Sequence, residues 1–399
     1  MKIRVGDFCK INAQTIGKNN TLDKYVYLDT GSITENVLSN TQTFEDFELM
    51  PSRARRLVKK NTIIYSMVRP IQKHYGFIEE DTNMIVSTGF ITIDIKDSKI
   101  LDPKYLYFRL TEFHITEYLH NIAKNNASSY PSLNPDDIED LIFDIPDDVL
   151  EQRRIASLLT EFEQRKNYST QISNSTKSIL ERVFHSLFIE RHPMTAEFIL
   201  NNYGAKITKT NTAFSKLGDL TTIAKKTVSS RSSGKELFWH YSIPAFDADG
   251  YPDLVHGSDI ASNKFVIDSS CVMVSKLNPE FERIWTVINP LSNSISSTEF
   301  VILLPKSPDY FAFLDCFARS SDFHQYMVSF ATGSTGSRQR FTPSDILDIQ
   351  FQDVDVNHII AFNNFAFPLL NQINIAGKVQ HTLNKFVQKN FTFLIGNVA

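Results

Sequence analysis

The chain is poor in the patterns that usually announce chemistry. Its 399 residues include three cysteines, Cys9, Cys271 and Cys316, far apart and with no CxxC pair. That spacing argues against a metal site or a disulfide frame and for reduced core thiols in a cytosolic protein. The opening MKIRVGDFCKIN lacks the apolar centre of a signal peptide. No stretch nears the roughly 20 apolar residues that cross a bilayer, so a soluble, cytoplasmic chain with no membrane partner is expected. Positive charge is not in excess either: 41 Lys and Arg face 45 Asp and Glu, a net charge of −4. Any nucleic-acid binding must therefore come from local patches, because the summed charge says little about one face. There is no GxxxxGK[ST] loop, no GxGxxG, no HExxH and no GxSxG. The stretch NPLS at Asn289 falls short of the NPPY-type tetrad with which amino-methyltransferases hold a flipped base. The ten histidines do not cluster at ligand spacing. No catalytic constellation stands out, and no metal site is expected.

What the chain does have is a repeat. VGDFCKI at Val5 returns as LGDLTTI at Leu217, an offset of 212. IIYSMVRP ends at Pro70 and VMVSKLNP at Pro279, an offset of 209. STGF at Ser87 returns as STEF at Ser297, and SLNPDDI ending at Ile138 returns as RFTPSDI ending at Ile346, offsets of 210 and 208. One order kept over such blocks, with YLYFRL at Tyr105 matched by YFAFLD at Tyr310, marks two homologous halves. In each half a β-branched run reads as a strand, Ile91 to Lys96 and Phe300 to Pro305. Residues 102–123 and 307–328 read as helices opened by Asp102-Pro103 and Ser307-Pro308, since Pro at the first helical position gives up no needed hydrogen bond. NPDDIED and TPSDILD read as short capped turns.

After each half comes a helical stretch with heptad spacing. Positions Ile155, Leu158, Phe162, Ile172, Ile179 and Val183 are the six apolar members of nine a/d sites. Adding 204 gives Ile359, Phe362, Leu369, Ile373, Leu383 and Val387, with Ala366 and Ala376, eight of nine apolar. Two helices of matched phase are expected to pack antiparallel. Pro368 is expected to kink the second or delay its start, and Pro193 to stop the first. The 34 residues from Ile155 to Phe188 would span about 51 Å, roughly 15 base pairs of duplex. The expected layout is a lobe at 1–150, a helix at 151–192, a lobe at 193–354 and a helix at 355–399.

Basic and donor-rich clusters occur in both halves. RARRLVKK brings together Arg53, Arg55, Arg56, Lys59 and Lys60, followed by Arg69 and Lys73. Lys225, Lys226, Arg231 and Lys235 form a looser group. Ser337, Arg338, Gln339 and Arg340 lie in the loop ATGSTGSRQRFT, whose Gly333 and Gly336 would let its backbone approach a ligand. Its counterpart KNNASSYPSLN carries Lys124, Asn125, Asn126, Ser128 and Tyr130. Arg and Gln suit the base edges of guanine and adenine, while Lys mostly grips phosphate. These residues are the candidate DNA contacts, against the plainer alternative of a solvated charged surface.

STGFITI at Ser87, YLYFRL at Tyr105, SSYPSLNPDDIEDLIFDIP at Ser128 and EQRRIASLL at Glu151 resemble the specificity subunit of type I restriction–modification systems. The second half departs from that pattern: its helix opens DVNHIIAF without Glu-Gln, and Glu299 stands where STGF has glycine. The resemblance implies an α+β fold of two similar mixed α/β target recognition domains separated by a long antiparallel two-helix coiled coil. It implies that the lobes read the two parts of an asymmetric double-stranded DNA sequence. It also implies that the helix residues above dock DNA methyltransferase subunits, with a restriction subunit as a further partner. S-adenosylmethionine, ATP and Mg would belong to those partners, and the resemblance implies a non-catalytic chain with no cofactor of its own. Three other readings fit the residues: the specificity subunit of a type IIB-like system, a two-lobed protein-binding scaffold without DNA recognition, and an enzyme with an unrecognised site.

Overall fold

The computed structural model describes residues 1–17, 24–126, 131–204, 212–229, 234–331 and 340–395, with side chains to Phe386. The chain divides into two compact units, residues 1–167 with the chain from Leu383 onward, and residues 168–382.

In the first unit one antiparallel sheet has the order Cys9–Ile11, Phe90–Ile95, Ile63–Ser66, Tyr75–Phe77. A second has the order Gln42–Phe44, Tyr25–Leu28, Met84–Ser87, Ala54–Leu57, in which the Tyr25–Leu28 and Met84–Ser87 strands run parallel. A separate ribbon pairs Lys2–Arg4 with Ile142–Asp144. The second unit repeats this plan. Thr221–Ile223, Phe300–Pro305, Cys271–Ser275 and Ile284–Val287 form the first sheet. Asp253–His256, Leu237–Tyr241, Ser294–Ser296 and Lys264–Ile267 form the second, again with one parallel pair, Leu237–Tyr241 with Ser294–Ser296. Its extra edge strand Thr227–Val228 pairs beside Lys264–Ile267; the counterpart in the first unit is the single bridge Thr15 to Arg56. The closing ribbon is Ala213–Lys216 with Gln350–Asp355. The repeat in the sequence thus reaches strand order and strand direction.

The short capped turns form as expected, Pro135–Glu139 and Pro343–Leu347, each with a complete capping box, Asn134/Asp137 and Thr342/Asp345. The single helices expected over 102–123 and 307–328 are each broken. The first becomes Pro103–Leu110 and Phe113–Asn126. The Thr111 hydroxyl donates back to the carbonyls of Tyr107 (3.0 Å) and Phe108 (3.3 Å), satisfying acceptors that a helix end leaves orphaned. The second becomes a single 3-10 turn, Pro308–Tyr310, then Phe311–Ala318 and Ser321–Ser329, with the Ser320 hydroxyl capping the last. All three cysteines are buried, and burial pushes the Cys9 thiol up to about 12, which removes its nucleophilic form at neutral pH.

The break after Leu110 holds a buried ion pair. Glu112 lies 3.1 Å from Arg109 and 3.0 Å from His114. Burial pushes the Glu112 carboxyl up to about 7, and the Arg109 charge only partly offsets this. The folded protein therefore holds that proton more tightly than the unfolded chain, so this group's contribution to stability falls as pH rises from about 4.5 to about 7. Replacing Glu112 by Gln mimics the protonated form. Between pH 4.5 and pH 7 its stability relative to the unchanged protein is expected to improve by roughly 3 kcal/mol. Chemical denaturation of both proteins across that range checks this; a constant difference would count against a proton held there.

Each lobe delivers its chain into a long helix. The central helix runs Val149–Phe184 and ends in a π-helical turn, His185–Ile189. Pro193 does not stop this helix; it opens another, Pro193–Tyr203, at the first position, where proline fits. The C-terminal helix runs Val356–Ile395 straight through Pro368, so its start is not delayed. Both are fastened to their lobes by a buried carboxamide. Gln152 accepts from the Asp102 N–H (2.9 Å) and donates to the carbonyls of Ile100 (3.0 Å) and Pro146 (2.9 Å). Asn363 accepts from the Ala312 N–H (3.0 Å) in the equivalent helix of the second lobe. The Gln of the Glu-Gln opening is thus spent inside the lobe, and the missing Gln of the second half is replaced by Asn363 further along its helix.

Within the second unit the two helices run antiparallel: Phe362 meets Phe184 (ring centroids 5.8 Å apart) and Phe188 (5.4 Å), while Gln380 reaches Thr170 (3.5 Å). The seam differs from the heptad reading. Leu180, Phe184, Leu187 and Phe188 enter the core, whereas Leu158, Ile172 and Ile179 are 41%, 66% and 51% exposed. The buried set follows i, i+4, i+7, i+8, the stripe of an ordinary helix; a strict seven-residue repeat drifts about 20° per heptad from it. Ile155 is buried in the first core with Ala156 and Leu159, and Phe162 and Leu383 are half-buried. On the C-terminal helix Ile359 and Phe362 are fully buried, and Val183, Leu369 and Ile373 pack against the same core. The Val387 side chain lies outside the described residues.

Candidate nucleic-acid interface

In each lobe one connection of the central hairpin meets the turn before the long sheet strand. In the first lobe the Met67 N–H donates to the Gly89 carbonyl (2.9 Å) and the Leu133 N–H to Met67 (2.8 Å). The Ser66 hydroxyl spans the turn, donating to the Val68 carbonyl (3.1 Å) and accepting its N–H (3.2 Å). The second lobe repeats this frame. The Lys276 N–H donates to Glu299 (2.9 Å), and Ser275 brackets Leu277 in the same way (3.2 and 3.3 Å). An isolated bridge joins Val68 to Ser132 in one lobe and Leu277 to Arg340 in the other. At the apex of each turn a residue in the left-handed region precedes a proline: Arg69 (φ 46°) and Asn278 (φ 49°).

The basic cluster at Arg53 does not form one patch. Ala54–Leu57 is a strand, so successive side chains point to opposite faces. Arg53 is exposed. The Arg55 guanidinium sits 5.1 Å over the Phe47 ring and donates to the Ala54 carbonyl. Arg56 is half-buried, and burial holds its guanidinium below the usual value. Lys59, Lys60 and Lys235 are exposed.

Lys73 is committed elsewhere: it pairs with Glu35 (2.5 Å), whose other oxygen takes Lys166 of the central helix (2.5 Å). Burial alone would raise the Glu35 carboxyl, but Lys166 and Lys73 outweigh it and hold it below its ordinary value. Beside it the Tyr107 hydroxyl donates to Glu163 (2.8 Å). This network braces the central helix against the first lobe.

Lys124, Asn125 and Asn126 are exposed at the end of a helix that buries Ile115, Leu119 and Ala123, and Asn126 braces Asp137 (3.1 Å). Lys225 is exposed, and Lys226 pairs with Asp268 (3.0 Å). Arg340 faces Glu299 through two bonds (3.0 and 3.2 Å), so the glutamate in place of the STGF glycine receives the arginine of the neighbouring segment. Ser128, Tyr130, Arg231, Gly333, Gly336, Ser337, Arg338 and Gln339 lie outside the described residues. Sequence reading missed Asn278 and the role of Glu299, although the aligned blocks ending VRP and LNP carried the first signal.

Residues 1–177 match the family model described as the type I restriction modification DNA specificity domain. The matched residues make up less than half of the chain. A curated relative, the type I restriction enzyme HindI specificity subunit of Haemophilus influenzae, is 28% identical over 179 residues. That match takes in 45% of this chain and 38% of the relative, so well under two thirds of the relative's length is spanned. Among solved structures, the specificity subunit of a type I restriction–modification system from M. genitalium is similar with a TM-score of 0.62. It covers 100% of this chain and 96% of its own at 14% identity, a likeness of fold. No helix among the described residues is long and apolar enough to cross a membrane. No group of three or more His, Cys, Asp and Glu among those residues is placed to hold a metal.

Proposed function

We propose that this chain is the sequence-reading subunit of a type I restriction–modification complex. Each lobe reads one part of a bipartite, asymmetric DNA sequence. The helices dock methyltransferase subunits, and a restriction subunit joins the assembly. The carrying observation is that two lobes of one topology present the same hydrogen-bonded loop frame with different residues on it, Arg69 and Gly89 against Asn278 and Glu299. One scaffold with two sets of side chains suits two different half-sites. Exposed apolar residues on the helices, Leu158, Ile172, Ile179, Ile375 and Val379, supply surface for the methyltransferase subunits. This chain positions DNA and contributes no reacting group; S-adenosylmethionine, ATP and Mg belong to the partners.

The test is to express the chain with its cognate methyltransferase in a host without adenine methylation and sequence the methylated bases. One gapped, non-palindromic motif is expected. A contiguous palindrome would contradict the reading, and absence of DNA affinity even in the assembled complex would favour a protein-binding scaffold.

A further inference from the structure

We propose that Asp249, Tyr251 and His381 are positioning residues: they pin the second sheet of the second lobe to the C-terminal helix and so set the number of base pairs between the two half-sites. This rests on the DNA-reading function proposed above and adds a spacing element to it.

The pin is built on one turn. Helix Ile243–Ala248 ends before Gly250, whose left-handed backbone (φ 67°) and N–H to the Ala245 carbonyl (3.2 Å) turn the chain back. One oxygen of Asp249 accepts from the Tyr251 N–H (3.2 Å), and the other lies 2.6 Å from Nδ1 of His381. The Tyr251 ring stacks on the imidazole, with centroids 4.0 Å apart and planes at 23°. His381 is buried by these contacts.

The first lobe makes an equivalent attachment with different residues. Glu35 lies in the connection from Tyr25–Leu28 to its antiparallel neighbour Gln42–Phe44, and Asp249 in the connection from Leu237–Tyr241 to Asp253–His256. Each acid reaches the long helix that follows its lobe, Glu35 to Lys166 (2.5 Å) and Asp249 to His381. Lys166 comes 17 positions after Val149, and His381 comes 25 after Val356. The two pins are therefore not copies of one repeat position. The same attachment is made twice, at helix heights that differ by about 12 Å.

Packing below the second pin does not replace it. Asn374 donates to the Ile288 carbonyl (3.3 Å) at the end of a first-sheet strand, seven positions or about 10.5 Å nearer the helix start. Between the helices and the second lobe lies a cavity of about 370 Å³, lined among others by Ser173, Lys177, Tyr241, Trp285 and Gly377. The second sheet thus has room to tilt once the pin is lost. One base pair is 3.4 Å of duplex, so a small tilt changes the gap that the protein accepts.

The test uses the full chain with its methyltransferase and reads the methylated motif of each variant. In His381→Ala and Asp249→Ala both half-sites are expected to keep their bases, while sites with a gap one base pair longer or shorter become methylated. Discrimination against such sites should fall about tenfold, the size of one charge-assisted hydrogen bond. Asp249 is exposed, so its variant is expected to fold. His381→Asn, which keeps an amide near the Nδ1 position, is expected to retain more of the native gap than His381→Ala. Met273→Ala, a truncation in a core cluster of the second lobe, controls for lost stability: it should lower the melting temperature and leave the gap unchanged. The native gap alone in both His381→Ala and Asp249→Ala, or an equal loosening in Met273→Ala, would overturn the pin while leaving the two-part reading intact. Absence of any gapped motif in the unchanged protein would overturn both.

Discussion

Replacing Phe362 with alanine is expected to destabilise the second unit by about 3–5 kcal/mol. Phe362 is fully buried. Its ring lies 5.8 Å from Phe184, 5.4 Å from Phe188 and 6.3 Å from Phe365, and Phe188 in turn meets Phe313 at 4.8 Å. Phe362 therefore stands where the central helix, the C-terminal helix and the second lobe share one core. Truncation removes transfer free energy, leaves a cavity among rings too large to collapse, and abolishes edge-to-face contacts worth about 0.5–1.5 kcal/mol each. Ile172, 66% exposed, is the control; its replacement by alanine is expected within about 0.5 kcal/mol of neutral. Denaturant unfolding separates the two. Equal effects would mean that the helices do not pair as described.

Inserting one heptad into both long helices at matched levels is expected to lengthen the gap of the methylated motif by about 3 base pairs. Seven residues rise about 10.5 Å, and duplex DNA rises 3.4 Å per pair along one strand. The insertions must be matched because the helices run antiparallel, with Thr170 level with Gln380 and Phe184 level with Phe362. An insertion in one helix alone would slide one set of side chains past the other and is expected to destabilise the protein instead. Two turns nearly restore each helix face, leaving about 20° of rotation. The readout is the motif itself, by sequencing of methylated bases. A gap of unchanged length would remove the helices from any spacing role.

Much of this architecture was legible because it is written twice. A strand such as Phe300–Pro305 is ambiguous alone, but its alignment with Phe90–Ile95 gives two readings of one element. The capping boxes at Asn134 and Thr342 were equally plain, since each needs only residues three apart. The helix breaks at Thr111 and Ser320 were not, because they depend on a hydroxyl turning back or forward on the backbone within an otherwise helical pattern. The seam was misplaced around Ile172 and Ile179 because many apolar residues on the helix admit a neighbouring stripe, and only the lobe core decides between them. The interface was the least legible part. Lys73, Lys226 and Arg340 look alike in sequence as cations, and only the fold brings Glu35, Asp268 and Glu299 to them.

The ribbon that closes each lobe has a consequence for synthesis. Lys2–Arg4 finds its partner in Ile142–Asp144, and the Met1 amino group donates to the Ile145 carbonyl, 144 positions away. On a ribosome making about 5–20 residues per second, the opening strand waits roughly 7–30 s for its mate. For that interval the nascent chain shows a bare edge of the kind that recruits other strands. Release before Ile142 would leave that edge open for good, so prematurely terminated chains are the ones most exposed to clumping and to capture by chaperones.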